Sequence, residues 1–313
     1  MLRYISINNF LSEKGKEYSV ITLSYELAGQ SLSKAPIVIV NHALTGNSSV
    51  AGDDGWWGNL IGENKPVDTR KYSILAFNIP GNAYDGRESD DFEEFTLYDV
   101  ARLFIQALNA LSINKVYAIM GASMGGSLTW QMAFLAPTLA QRILPIACDY
   151  KASDWLIAQT WIQKSILEHS YNPLKDARMH AMLCYRTPTS LNERFGLLKN
   201  RDAEKYDVED WLEYHGDTLQ KRFNLSAYKV MTFLTATIFV CDDASTLDII
   251  QSDIHMISID TDLLFTHDRA LATFQTLSLS KANVTLNTIK SIHGHDAFLM
   301  EYQQLGNIIK PLF

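Results

Sequence analysis

At 313 residues, 47% apolar and 20% charged, the chain can bury a substantial core and is neither disordered nor fibrous. A net charge of -8, with no Lys/Arg cluster interleaved with aromatics, excludes nucleic acid as the expected partner. Three widely spaced cysteines, no apolar leader at Met1 to Asn8 and no apolar run near the roughly 18 residues of a membrane span suit a cytoplasmic, metal-free protein without disulfides or membrane contact.

Tyr4 to Asn8 and Glu17 to Leu27 alternate with a rough period of two and predict antiparallel strands at a sheet edge. Pro36 to Asn41 is continuously apolar up to its last residue, as a strand buried on both faces reads, and runs into His42-Ala43-Leu44-Thr45-Gly46. His42 either fixes that loop by a hydrogen bond or touches a ligand. A second buried strand spans Tyr72 to Ile79. Thr96 opens a helix, with Asp99 as capping-box partner and Leu97, Val100, Phe104, Leu108 and Leu111 on one apolar face. Lys115 to Met120 reads as strand, and Ile143 to Asp149 as a further strand that Pro145 weakens or moves toward an edge. Strands alternating with helical segments predict an α/β fold with a mostly parallel sheet flanked by helices.

From 150 to 239 the strand signal stops, and long segments rich in Trp, Tyr, Met and charge follow. They read as a helical cap inserted into a core of 1–149 and 240–313, lying over the C-terminal edge of the sheet. The rhythm then resumes, with strands at Ile254 to Asp260 and Val284 to Ile289, a helix over 268–280 between them and a last helix from about 297 to 310.

Between the strand ending at Met120 and the unbroken helical run from Ser127 to Leu135 lies Gly121-Ala122-Ser123-Met124-Gly125. Glycines two before and two after a serine remove side chains where strand and helix crowd, so the serine hydroxyl can project from a strained turn. Such a serine needs a base to take its proton. A serine elbow, an acid after a later strand and a histidine after the last strand follow the chain order of the α/β-hydrolase fold. Asp260 and Asp262 compete as the acid, and His293 and His295 as the base. Spacing separates neither pair. The oxyanion donors fall on the N–H groups of Met124, next to the nucleophile, and of Leu44, in the loop after the 36–41 strand.

His42-Ala43-Leu44-Thr45-Gly46, Val50-Ala51-Gly52, Ser123-Met124-Gly125-Gly126 and Gly294-His295-Asp296-Ala297-Phe298-Leu299 resemble the motifs of the homoserine O-acetyltransferase family. Ala177-Arg178-Met179, Tyr185-Arg186, Arg194-Phe195-Gly196, Tyr214-His215-Gly216 and Arg222-Phe223 match inside the helical insertion. The resemblance runs from about residue 37 to the C-terminus, and it implies an α/β-hydrolase-fold acyltransferase. By it, Ser123 is the nucleophile, Asp262 the acid and His295 the base. Arg178 and Asp296 then contact substrate, which suits an amino acid, since a guanidinium holds an α-carboxylate and a carboxylate holds an α-ammonium. Arg186 competes for the carboxylate. Ala122 stands where the family usually has glycine, and Pro80 to Arg87 is shorter than the family's loop after the 72–79 strand.

The activity so implied is ping-pong acetyl transfer from acetyl-CoA, a donor substrate rather than a resident cofactor, to the hydroxyl of L-homoserine, as in methionine biosynthesis. A homodimer through the helical cap is also implied. Two alternatives share the triad: an esterase, and an O-acetyltransferase acting on serine or another small alcohol. A different class again is a non-catalytic, cap-dimerised binding protein with a relic triad. Acetyl, succinyl and propionyl donors are not separated by sequence.

Overall fold

A computed structural model describes residues 1–88, 93–199 and 204–313. β1 (Arg3–Leu11) and β2 (Glu17–Gly29) pair antiparallel at one edge of an eight-stranded sheet. Next come β3 (Ile37–Asn41), a short ladder of β4 (Ile61–Gly62) with β5 (Val67–Asp68), and β6 (Ser73–Phe77). They are followed by α1 (Leu97–Ala110), β7 (Val116–Ala122), α2 (Met124–Leu135) and β8 (Ala140–Ile146). Before the sheet resumes stand α3 (Asp154–His169), α4 (Pro173–Tyr185), α5 (Pro188–Phe195), α6 (Asp207–Arg222) and α7 (Leu225–Ala236). The chain ends with β9 (Asp253–Ile259), α8 (His267–Ser278), β10 (Val284–Ile289), a 3-10 turn over Gly294–Leu299 and α9 (Tyr302–Ile309), closed by a further 3-10 turn at Lys310–Leu312. Strand order is β1-β2-β6-β3-β7-β8-β9-β10, parallel from β6 onward.

The alternation of β3 shows why the sheet needs helices on both sides. Ile37 and Ile39 join a core with Phe104 of α1 and Leu128 of α2, whereas Val38 and Val40 join Trp57, Leu60 and Ile309 on the opposite face. Each fully buried aliphatic side chain of this kind contributes roughly 1.5–3 kcal/mol. The cap helices have a small cluster of their own, built on Leu167, Leu174, Ala177, Leu219 and Tyr228. Leu156 of α3 and Val230, Met231 and Leu234 of α7 belong instead to the main core.

At the start of α1 the Thr96 hydroxyl accepts from the Asp99 N–H and the Asp99 carboxylate accepts from the Thr96 N–H, so the expected capping box is present. Two sequence expectations are corrected. Pro145 lies in a central strand, not toward an edge: β8 sits between β7 and β9, and Pro145 pairs with Gly121. Its missing N–H is tolerated because the register with β9 runs Arg142, Ile143, then Ile146, leaving a gap at 144 and 145. The last helix is also not continuous, since the 3-10 turn ends at Met300 and α9 restarts after Glu301.

His42 fixes its loop. The ring accepts the Ile79 N–H at Nε2 (3.0 Å), so Nδ1 carries the proton and donates to the Ala43 carbonyl (2.8 Å). This ties the exit of β3 to the exit of β6. Burial pushes the imidazole pKa from its ordinary 6.5 to about 4, against the hydrogen bond to Ala43. Between those values the unfolded chain binds more protons than the folded one, so this contribution to stability is complete above pH 6.5 and is lost as pH falls toward 4. The full difference is on the order of 3 kcal/mol. Urea unfolding from pH 7 to 4 should therefore show a shallower loss in His42→Asn than in the unsubstituted protein. Parallel curves would remove His42 as the source.

Candidate active site

β7 ends at Ala122 and α2 begins at Met124, leaving Ser123 to turn the chain at φ 57°, ψ -130°. A non-glycine residue in so sparse a region costs about 1–3 kcal/mol and persists only where its surroundings fix it. Here the Ser123 N–H donates to the Ile146 carbonyl (2.9 Å), while the Ser123 carbonyl accepts from the N–H groups of Gly126 and Ser127 (2.9 and 3.0 Å). The flanking glycines permit the approach. A Cβ at Gly121 would stand 2.3 Å from the Gly125 carbonyl oxygen, and one at Gly125 would stand 2.3 Å from that of Asn41 and 2.6 Å from that of His42.

The Ser123 hydroxyl meets His295 Nε2 at 2.9 Å, and His295 Nδ1 meets Asp262 Oδ2 at 2.7 Å. With a carboxylate at Nδ1, the neutral ring carries its proton there, which leaves Nε2 to accept from the serine. The other Asp262 oxygen accepts the N–H groups of Leu264 (2.7 Å) and Phe265 (2.9 Å), so the loop after β9 locks Asp262 in place. All three side chains are buried. Tyr185, Phe265 and Phe298 surround the imidazole with ring centroids 5.3 to 5.6 Å away. The two rivals are engaged elsewhere. Asp260 accepts the Ser291 N–H and pairs with Lys290, and His293 bonds the Ser190 hydroxyl.

Met124 is the first residue of α2, where a backbone N–H has no partner inside the helix. Leu44 lies in the turn after β3 and its side chain lines a small cavity beside Ser123. Arg222 reaches from α6 to donate to the Thr45 carbonyl (3.0 Å), joining the cap to that turn.

Arg178 and Arg186 prove unlike. Arg186 is buried and committed: it pairs with Asp296 (3.6 Å), donates to the Ser190 hydroxyl (3.2 Å) and lies over Trp211. Arg178, partly exposed on α4, sits over the Tyr185 ring with its guanidinium carbon 5.6 Å from the centroid, and no ion pair holds it among the described residues. Its charge still acts on Asp296, whose carboxyl is pushed above the usual range by burial and pulled back first by Arg178. Burial, followed by the fields of Arg178, Arg186 and Arg194, holds His215 at about 4, so this face of the cap is positive without a protonated histidine.

A family model described as the alpha/beta hydrolase fold matches residues 36–148. The homoserine O-acetyltransferase of Salinibacter ruber is 28% identical over 99% of this chain and 96% of its own length. That of Methanococcus vannielii is 30% identical over 98% of this chain and 71% of its own. The chain belongs to the homoserine O-acetyltransferase family. Among solved structures, esterase E22 shares the fold with a TM-score of 0.88 at 18% identity, covering 100% of this chain and 99% of that one.

At Ala122, where the homoserine O-acetyltransferase motif usually has glycine, the methyl group is buried at the end of β7 and the backbone has an ordinary negative φ, so no strain results. Reading for family motifs missed the cavity walls. Leu156 and Thr160 of α3 and Thr232 and Thr235 of α7 line the space beside Ser123, yet they carry no motif and look in sequence like any helix interior.

Gly125→Ala should lower stability by about 3 kcal/mol through backbone overlap, far more than Gly86→Ala, whose Cβ meets nothing and whose positive φ alone costs about 1 kcal/mol. Comparable melting temperatures would mean that the elbow relaxes freely. Asp262→Asn should preserve the fold but lower turnover of a small acetyl ester by about 10⁴-fold, because the wrong tautomer of His295 faces Ser123. A change below tenfold would sink the assignment of Asp262.

Proposed function

We propose that the protein transfers an acetyl group from acetyl-CoA to the side-chain hydroxyl of L-homoserine through an acyl-serine intermediate. The carrying observation is the Arg178 guanidinium, held by no ion pair among the described residues, over the Tyr185 ring that in turn abuts His295, with its charge acting on Asp296. Without such a cation the chain would suit any small ester. With it, a ligand carboxylate has a partner, and Asp296 can receive an α-ammonium.

In the first half-reaction the Ser123 Oγ attacks the thioester carbon as His295 Nε2 takes the hydroxyl proton. Asp262 holds the imidazole and stabilises the imidazolium that forms. The N–H groups of Leu44 and Met124 receive the oxyanion, a contribution of about 3 kcal/mol for each such donor. The C–S bond then breaks, and coenzyme A leaves as the thiol with the proton from His295. In the second half-reaction His295 deprotonates the homoserine hydroxyl, which attacks the acyl-serine, and Ser123 leaves with the proton returned to it. Transfer rather than hydrolysis depends on holding the acceptor aligned while the cap limits water. Tyr185 and Phe265 against the imidazole support that exclusion.

Thiol release from acetyl-CoA should depend strongly on L-homoserine, with a product of O-acetylhomoserine mass. Equal release without the amino acid, yielding acetate, would replace transfer with hydrolysis. Arg178→Ala should raise the homoserine KM by about 10- to 100-fold, the value of a lost charge-assisted contact, while acylation by acetyl-CoA stays within about threefold. Equal loss in both half-reactions would make Arg178 a structural residue.

A further inference from the structure

The cavity beside Ser123 is narrow, about 40 Å³. Leu44, Leu156, Ala181 and Leu264 supply its apolar wall, and no charged side chain lines it among the described residues. The cations and the carboxylate of the site stand apart from this space. Outside the cap, between α3 and α7, runs a mostly apolar groove of about 220 Å³ lined by Ile157, Trp161, Leu167, Phe233 and Ala236, with Lys164, Glu168 and Lys229 also on its lining. Thr160 and Thr232 line both spaces and are the residues the two have in common.

We propose that the neutral cavity is the acyl pocket and that Thr160 and Thr232 form its end wall, restricting the donor to a short, uncharged acyl group. The proposal rests on Ser123 being the acylated nucleophile and is independent of the acceptor. An acetyl group has three heavy atoms, one of them the oxygen that turns to the oxyanion donors. Each further methylene must pass the two threonines before it gains the apolar surface behind them. A succinyl carboxylate would lose its water in a pocket that offers no counter-charge.

The wall can be opened without dismantling the helices. The Thr232 hydroxyl is buried with no hydrogen-bond partner among the described residues, so Thr232→Ala breaks no bond there. Among the described residues the Thr160 hydroxyl donates only to the Ile157 carbonyl of its own helix. Alanine is the better helix former at both sites.

The test measures kcat/KM for p-nitrophenyl acetate, butyrate and hexanoate with the full-length protein. The unsubstituted protein should favour acetate over hexanoate by at least about tenfold, and Thr160→Ala combined with Thr232→Ala should raise the hexanoate-to-acetate ratio by at least about tenfold, the scale of discrimination a pocket wall provides. Each single alanine should raise it about threefold, which keeps the question open to experiment if the double variant fails to fold. Thr232→Val, equal in size, should leave the ratio unchanged, since the wall acts by volume. Retained acetate turnover with an unaltered ratio in the alanine variants would overturn the wall, as would an unsubstituted protein that prefers hexanoate. No turnover of any ester would overturn the acyl-serine itself, whereas thiol release from acetyl-CoA independent of homoserine would overturn only the acceptor.

Discussion

Strand β3 and helix α2 approach so closely that Gly125 lies against the carbonyls of Asn41 and His42. That contact places the turn containing Leu44 beside Ser123, and it compels the elbow to turn within one residue. The Ser123 backbone is held out of its comfortable range by hydrogen bonds to Ile146, Gly126 and Ser127. The hydroxyl is thereby delivered to a histidine that arrives from the far end of the chain. The His42 ring secures the opposite side of the same turn, and it does so as a neutral acceptor.

Much of the sheet was legible because burial on both faces leaves a clear trace: continuous apolar runs at β3 and β6, with breakers between them. The elbow was legible for a different reason, since close backbone approach demands glycine and little else satisfies it. Pro145 misled because a missing N–H matters only where the neighbouring strand would use it, and register is not written in local sequence. The break at Met300 was missed because Ala297 to Met300 is an apolar run with no glycine or proline in it, which suits a 3-10 turn as well as an α-helix.

The candidate acids and bases show where pattern ends and packing begins. Asp260 and Asp262 are two residues apart on one loop, as are His293 and His295 on another, and both pairs carry the same chemistry. Only the fold of each loop separates them. Asp262 is turned inward by two backbone N–H groups, and Asp260 is turned toward Ser291 and Lys290. In the cap the two arginines of α4 and its C-cap are alike in composition and opposite in circumstance. Arg186 is spent on internal partners, and Arg178 is not.

The roots of α3 and α7 carry a consequence for access. Leu156, Val230, Met231 and Leu234 are embedded in the main core, and the Thr235 hydroxyl reaches the Met124 sulfur at the foot of the elbow (3.4 Å). Lifting these helices as a rigid lid would strip apolar surface from the centre of the molecule, at a cost of several kcal/mol. The roof is anchored on the floor it covers. Traffic to Ser123 must therefore pass by rotation of side chains and shifts of the connecting loops, so turnover should respond to local crowding at the mouth more than to the stiffness of any hinge.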